Sequence, residues 1–321
     1  MSREVCRAAA IALTGLEGET VMVEAAVTQQ LPGMAIIGLP DAALSEAKQR
    51  VRTASAQAGL ALSDRFVVVN LAPASLPKQG SGFDLAIALA AIAASRRLPT
   101  DRLAATAHIG ELGLDGGLRR PIGLLSAVIA AQALGFARVM VPAECGAEAR
   151  LVPGIEVIEA ATLLAAVAWH RGEPGAWGAA PAARRAPPPT PSPGTDALDM
   201  AQVVGQPEAV DAMVIAAAGR HHISLTGPPG SGKTLLATRL PSLLPDLSPH
   251  ESLVASSIAS LGGSSLDELV TRPPFESPHH TASSAAIIGG GDSRGIRPGA
   301  ITRASHGVLF MDEARDGKCT F

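Results

Sequence analysis

The stretch G-P-P-G-S-G-K-T, residues 227–234, decides the fold class of the C-terminal part of this chain. It satisfies the pattern G-x-x-x-x-G-K-[ST], in which backbone amides and a lysine cradle phosphate groups. The short run H-I-S-L-T before it, residues 222–226, predicts a strand, and the residues from Lys233 onward predict a helix. Because strand, glycine-rich loop and helix form the context that the motif requires, the sequence predicts an α/β nucleotide-binding unit.

The residues of this loop have distinct predicted roles. Proline has no backbone N–H, so the amides that can cradle phosphate are those after the two prolines. The positive end of the following helix favours the same anion. The Lys233 ammonium is predicted to reach the β- and γ-phosphates, and the Thr234 hydroxyl is predicted to ligate Mg²⁺. The predicted cofactors are ATP and Mg²⁺, and a glycine-rich turn that merely begins a helix is the alternative. The predicted binding residues in this loop are Gly227, Pro228, Pro229, Gly230, Ser231, Gly232, Lys233 and Thr234.

A second motif, V-L-F-M-D-E at residues 308–313, consists of four apolar residues followed by two carboxylates. It predicts a fully buried strand with Asp312 at its end, where the carboxylate holds Mg²⁺ through water. Glu313 is predicted to act as the general base toward the attacking water. The predicted catalytic residues are therefore Lys233 and Glu313, and the predicted metal ligands are Thr234 and Asp312.

Composition argues against several classes of protein. The net charge is -3 and aromatic residues make up 2% of the chain, with no Tyr, so a lone chain has neither a basic footprint nor a stacking platform for nucleic acid. Any contact with DNA is expected to use backbone phosphates and a surface assembled from several subunits. The three cysteines have no C-x-x-C spacing, which favours a reducing cytoplasm over a zinc or redox site. We see no signal peptide and no apolar run long enough for a membrane span, so a soluble chain is expected.

The adjacent His279 and His280 raise the possibility of a metal site. No acidic or cysteine partner has ligand spacing, so a structural or interface role is favoured over metal binding.

Residues 171–200 are rich in Pro, Ala and Gly and predict a semi-rigid linker. The linker separates an N-terminal unit, residues 1–170, from the nucleotide-binding unit, residues 201–321.

In the N-terminal unit, strands are predicted at residues 21–27, 66–70 and 138–142. One helix is predicted from an apolar face with Asp41 as N-cap and Gly59 as its end, and the face comprises Leu44, Ala47, Val51, Ala54 and Ala58. Further helices are predicted at residues 121–134 and 207–218.

Longer motifs resemble those of the magnesium-chelatase-like AAA+ ATPases. They are R-P-P-F-E-S-P-H-H-T-A-S at residues 272–283 and I-T-R-A-S-H-G-V-L-F-M-D-E-A at residues 301–314. Three N-terminal stretches narrow the resemblance to the ComM/YifB branch, and they lie at residues 31–40, 69–78 and 108–123. The resemblance extends from about residue 7 to residue 314.

The resemblance implies a fold and an activity. The N-terminal unit is expected to adopt the ribosomal-S5-domain-2-like α/β fold shared with the Lon peptidase, followed by a P-loop AAA+ α/β domain. The family implies a hexameric motor that moves on DNA in branch migration, recombination and natural transformation. The family segment near the adenine corresponds to V-V-G-Q, residues 203–206, which adds Val204 and Gly205 to the implied nucleotide-binding residues.

Two rival activities follow from the same resemblance. An ATP-dependent serine peptidase would need a Ser–Lys dyad, but Gly82 occupies the position of the serine and Ser126 that of the lysine. Ser81 and Lys78 lie nearby but out of register. A magnesium-chelatase subunit that inserts Mg²⁺ into a porphyrin shares the ATPase motifs, whereas the fused N-terminal unit favours the ComM/YifB branch.

The chain departs from the family pattern after Ala314, where R-D-G-K-C-T-F replaces the expected proline, acidic and aromatic residues. The resemblance therefore predicts a truncated ATPase domain that lacks the sensor-1 strand, the arginine finger and the helical lid. Weak nucleotide binding and little turnover are expected from such a chain. A stand-alone N-terminal interaction module is the alternative.

Overall fold

The computed structural model describes residues 5–38, 41–60, 62, 66–78, 80–173, 198–292 and 295–312. The chain divides into two compact units. Unit 1 comprises Met1–Ala183, Ala259–Glu268 and Gly291–Ile296, and unit 2 comprises Arg184–Ile258, Leu269–Gly290 and Arg297–Phe321. Most of the predicted linker lies outside the described residues, so the predicted domain boundaries stay predictions.

Unit 1 is a mixed α/β structure. Its strands are β1 (Cys6–Thr14), β2 (Glu17–Thr28), β3 (Gly33–Ile37), β4 (Phe66–Ala72), β5 (Thr106–His108), β6 (Glu111–Leu112), β7 (Leu118–Arg119), β8 (Arg138–Pro142) and β9 (Glu156–Ala160). Its helices are α1 (Asp41–Gln57), α2 (Asp84–Ala94), α3 (Leu124–Ala133), α4 (Gly146–Ala149) and α5 (Leu163–Arg171), with a 3₁₀ turn at Ala143–Cys145. The α/β fold class predicted from the sequence is confirmed.

Seven of these strands form one sheet in the order β3-β4-β2-β1-β5-β8-β9. β2 pairs antiparallel with both β1 and β4, and the remaining neighbours pair parallel. The register places Ala8 opposite Val23 and Ala10 opposite Val21, so small and β-branched side chains share one face. This face packs into the main core of unit 1, which also contains α2.

The central strand β1 is buried on both faces. Ala8, Ala10 and Ala12 belong to the core on the α2 side. On the opposite face, a Cβ at Gly18 would lie 2.5 Å from the Ala130 side chain of α3 and 3.0 Å from Ile11. Alanine and glycine therefore allow helices to approach both faces closely, as dense interior packing requires.

Helix α2 is buried along almost its whole length, including Asp84 in its first turn. Asp84 accepts hydrogen bonds from Arg50 Nε at 2.6 Å and Arg50 Nη2 at 3.2 Å, and from the Leu112 amide at 3.2 Å. Burial raises the pKa of Asp84 to about 6, and Arg50 acts in the opposite direction. The ion pair thus joins α1 to α2 and satisfies a carboxylate that is 1% exposed.

The chain beyond residue 198 is built mainly from helices. They are α6 (Pro207–Gly219), α7 (Lys233–Arg239), α8 (Pro249–Leu261), α9 (Ser284–Ile288) and α10 (Ala300–Arg303), with 3₁₀ turns at Met200–Gln202 and Leu240–Leu243. The strands β10 (Phe275–Glu276) and β13 (Val308–Leu309) form one parallel pair, and β11 (Gly289–Asp292) pairs with β12 (Gly295–Pro298).

Several predicted elements are confirmed. Strands at residues 21–27, 66–70 and 138–142 fall within β2, β4 and β8, and the helix at residues 207–218 is α6. In α1, Ala47, Val51 and Ala54 are buried as the periodicity predicts, and Gly59 follows the helix at φ +70°. The side chain of Leu44 lies outside the described residues.

Three predictions of local structure are wrong. The helix predicted from residue 121 begins at Leu124, because Gly123 has φ +74° and cannot continue a right-handed helix. Residues 222–226 form no strand, since no neighbouring strand in the described chain pairs with them. The predicted strand at residues 308–311 is only two residues long and half-buried, with a single partner strand.

No helix in the described ranges combines the length and apolar character needed to cross a membrane.

Two buried histidines link three elements of unit 1. The His108 Nδ1 atom lies 3.0 Å from the Ala9 carbonyl oxygen, so this nitrogen must carry the proton and donate. His108 Nε2 then accepts from His170 Nε2 at 3.0 Å. Burial lowers the pKa of His108 to about 4, and burial followed by the neighbouring His108 and Arg102 lowers the pKa of His170 to about 3. Both rings are therefore neutral in the folded protein.

We predict that acid destabilises unit 1 through this pair. Unfolded histidine titrates near pH 6.5, so between about pH 6.5 and 4 the unfolded chain binds protons that the folded chain excludes, at about 1.4 kcal/mol per pH unit for each histidine. Replacing His170 with Phe should halve this part of the slope. The measurement is urea unfolding followed by Trp169 fluorescence between pH 7.5 and 4.5.

The difference between the two proteins gives the contribution of His170 to the pH dependence of the unfolding free energy. Asp84, whose raised pKa contributes a slope of opposite sign, is present in both proteins and cancels in the difference. Identical pH slopes for wild type and His170→Phe would contradict the prediction.

Candidate functional site

The glycine-rich loop has a backbone that only glycine adopts readily at two positions. Gly230 and Gly232 have φ values of +80° and +84°, in the left-handed region. At Gly232 an added Cβ would also lie 2.8 Å from Gln206 Nε2, whereas at Gly230 no atom lies within 4 Å. The two glycines thus shape the loop between residue 227 and α7, as the motif predicts.

The Lys233 side chain folds over this loop. Its Nζ donates to the carbonyl oxygens of Gly227 and Pro228, each at 3.0 Å, and lies 3.4 Å from Ser231 Oγ. Lys233 is the first residue of α7, so the helix fixes its Cα while the side chain reaches back to the start of the loop. The geometry places a cation at the centre of the loop.

Ser231 has hydrogen-bond partners on both its backbone N–H and its carbonyl oxygen. Its amide donates to Pro228 O at 3.3 Å, and its carbonyl oxygen accepts from Gln206 Nε2 at 3.2 Å. The amide of Ser231, expected to face phosphate, thus has a partner within the loop. Sequence reasoning included Gln206 only as the last letter of V-V-G-Q, and its side-chain contact could not be seen from the motif.

The segment that contains Gln206 lies beside the loop. Val203 packs against the small core formed by Met200, Met213 and Leu236. Val204 points outward with 89% of its surface exposed, and Gly205 has φ +83°. An exposed apolar side chain next to a cationic loop suits the flat apolar face of a nucleobase.

The same small core contains residues that precede the loop and residues that follow it. Ile223 and Leu225, which precede the loop, pack against it together with Leu236 of α7. Burial alternates along residues 222–226, with Ile223 and Leu225 half-buried and their neighbours exposed. The chain leading into the loop is therefore anchored by side chains, although it lacks a strand partner in the described residues.

The second motif lies on the β10–β13 pair. The Val308 amide donates to Pro274 O at 2.8 Å, and the Phe310 amide donates to Glu276 O at 2.9 Å. Arg303 forms two hydrogen bonds to the Glu276 carboxylate, at 3.0 and 2.9 Å, which braces this pair. Asp312 is exposed two residues beyond these contacts, and the predicted general base Glu313 lies outside the described residues.

The side chains predicted for this site are of the chemical kind that a magnesium-bound polyphosphate requires. Mg²⁺ prefers oxygen ligands, which the exposed Thr234 and Asp312 can offer. Lys233 supplies a cation inside the loop, and glycine at 230 and 232 lets the backbone come close to a ligand.

The residues considered for a peptidase do not form a dyad. Lys78 Nζ donates to the carbonyl oxygens of Pro73 and, at 3.0 Å, Leu76. Ser81 Oγ bonds instead to the Glu111 carboxylate. Ser126, at the position of the peptidase lysine, is 1% exposed and its hydroxyl has no partner in the described residues.

His279 contacts Thr281 and the ring of its neighbour His280. His279 Nδ1 lies 2.7 Å from Thr281 Oγ1, and the rings of His279 and His280 are 4.1 Å apart. Across the described ranges, no three or more His, Cys, Asp or Glu residues are arranged to hold a metal ion.

Comparison with known proteins places most of the chain in two family models. The family described as magnesium chelatase, subunit ChlI, matches residues 199–319, and that described as subunit ChlI of Mg-chelatase matches residues 23–145. An uncharacterized protein of Mycobacterium tuberculosis H37Rv is 47% identical over 97% of this chain and 60% of its own length.

Two further relatives carry family names. YifB of Escherichia coli K12 is 38% identical over 94% of this chain and 58% of its own length. The competence protein ComM of Haemophilus influenzae is 37% identical over 93% of this chain and 58% of its own length. The chain spans about 60% of the length of the curated relatives that it matches.

We predict that the two loop glycines differ in their tolerance of alanine. Gly230→Ala should cost about 1 kcal/mol, because an L-residue is strained at positive φ but has open space there. Gly232→Ala should cost more, because its Cβ also displaces the Gln206 amide. Chemical unfolding of the full chain provides the measurement, and equal losses for the two variants would contradict the role of Gln206 as a close neighbour.

Proposed function

Because this chain belongs to the magnesium-chelatase-like family that contains YifB and ComM, we propose that it binds ATP together with Mg²⁺ at residues 227–234. The observation that carries the proposal is the Lys233 ammonium held inside a loop with two left-handed glycines. In this proposal Lys233 neutralises the phosphates, and the loop amides donate to their oxygens.

The other site residues have complementary roles. Thr234 and Asp312 would hold Mg²⁺, which supplies charge neutralisation to the polyphosphate when bound. Val204 and Gly205 would lie against the base. Glu313, the predicted general base, would act on the attacking water if the bound ATP is hydrolysed.

We extend the proposal to the cellular role that the relatives suggest. The name of one relative refers to competence, and the family resemblance points to DNA processing in recombination and natural transformation. We therefore propose a cytoplasmic protein that assembles with copies of itself, as a hexamer, and acts on DNA through the assembled surface. The net charge of -3 gives a single chain no overall basic character, so we propose that DNA would be contacted by a surface assembled from several copies.

A magnesium-chelatase subunit is the second candidate, because both matching family models carry that description. Such a subunit would also bind Mg²⁺–ATP, so nucleotide binding alone does not separate the two. ATP-dependent insertion of Mg²⁺ into protoporphyrin by this chain with its partner subunits would favour the chelatase over the DNA-linked protein.

The binding proposal predicts a clear effect of the loop lysine. Lys233→Ala should weaken ATP binding at least about tenfold, because it removes a charge-assisted hydrogen bond to phosphate. Isothermal titration with Mg²⁺–ATP measures the change. Lys48→Ala is the matched control, because Lys48 lies on α1 in unit 1 and should leave the affinity unchanged.

Equal affinities of wild type and Lys233→Ala, or no ATP binding by wild type, would overturn the proposed function.

The assembly proposal predicts that nucleotide changes the oligomeric state. Light scattering after size exclusion should show higher assemblies of wild type with Mg²⁺–ATP than without it, and Lys233→Ala should show no such change. Binding of single-stranded or branched DNA should follow the assembled fraction and weaken with salt. DNA binding by the monomer alone would contradict this arrangement.

A further inference from the structure

Gln206 makes one contact that bears on the chemistry of the loop. Its side-chain Nε2 donates to the carbonyl oxygen of Ser231 at 3.2 Å. Gln206 also precedes the first residue of α6, Pro207, so its backbone is fixed by the start of that helix. This hydrogen bond links the residue before α6 directly to the glycine-rich loop.

The contact fixes the orientation of one peptide group. In a trans peptide the C=O of one residue and the N–H of the next point in opposite directions. Among the described residues the one cis bond is Ala72–Pro73, so the peptide between Ser231 and Gly232 is trans. Because Gln206 holds the Ser231 oxygen, the Gly232 N–H points away from Gln206.

The Gly232 amide has no other constraint. No hydrogen bond from this N–H is formed within the described residues, and glycine resists rotation of the peptide less than any other residue. A flipped peptide would turn the Gly232 N–H toward Gln206, whose Oε1 could accept it. Without the bond from Nε2, neither orientation of the peptide would be favoured by this side chain.

We propose that Gln206 is a positioning residue for phosphate binding: its donor fixes the Ser231–Gly232 peptide so that the Gly232 amide is available to an anion in the loop. The inference rests on the proposed function, since it assumes that the loop binds a polyphosphate. Gln206 would thus act on the phosphate side of the ligand, although it directly follows Val204 and Gly205, which are proposed to lie against the base.

The test uses the full chain and two probes, Mg²⁺–ATP and inorganic tripolyphosphate, which carries phosphates without a base. Gln206→Met removes the donor at nearly constant volume. We expect it to weaken both probes by the same factor, about tenfold, as expected for one hydrogen bond to a charged ligand. The matched control is Gln202→Met, because Gln202 lies four residues earlier and its side-chain oxygen accepts from Arg239 Nη2.

Each outcome decides the inference. Loss of ATP affinity alone would place Gln206 beside the base and overturn the proposal, and unchanged affinity for both probes would also overturn it. If the wild-type chain binds neither probe, the proposed function fails first, and that result differs from selective failure of the Gln206 variant.

A second variant separates positioning from folding. Gln206→His, assayed at pH 8 where the ring is neutral, keeps an N–H donor at similar reach. Positioning predicts that this variant regains most of the affinity lost in Gln206→Met, even if Gln206→Met also lowers the melting temperature. Equal losses of affinity in the two variants would overturn the proposal.

Discussion

Burial of β1 on both faces is the constraint on which the architecture of unit 1 depends. A strand covered on both sides can carry only side chains that leave room for two layers of helices. The alanines at positions 8, 10 and 12 of β1 meet α2. On the opposite face of the sheet, Gly18 of the neighbouring strand β2 lies between Ile11 of β1 and Ala130 of α3. Asp84, which enters this interior, is paired with Arg50, because an unpaired buried carboxylate would be costly.

The glycine-rich loop at residues 227–234 depends on a different kind of support. The residues that flank it, Ile223, Leu225 and Leu236, pack in a small apolar core. Lys233 and Gln206 add hydrogen bonds to carbonyl oxygens of the loop. None of these supports is a continuous sheet, in contrast to unit 1. The position of the loop in the described chain therefore depends on side chains more than on strand pairing, which gives single residues such as Gln206 a large influence on its backbone.

The sequence predicts part of this structure well, for reasons that can be named. Strands rich in valine and the amphipathic face of α1 carry a local periodic signal, and both are confirmed. The loop glycines are predicted because positive φ has a strong residue preference.

The predicted start of α3 is wrong because a glycine within an apolar run can have left-handed geometry. The strand at residues 222–226 is wrong because strand formation needs a partner, which a local pattern cannot supply. The Gln206 contact has no periodic signature, so only the structure reveals it.

In the proposed binding mode, the Lys233 ammonium would exchange its three present hydrogen-bond acceptors for phosphate oxygens instead of gaining additional partners. A carbonyl oxygen bears only a partial charge, whereas a phosphate oxygen bears a large part of a full charge. The exchange is therefore favourable in proportion to the charge of the incoming group, and a neutral or singly charged molecule gains little by it. In the proposed binding mode, Lys233 would therefore favour highly charged ligands over weakly charged ones.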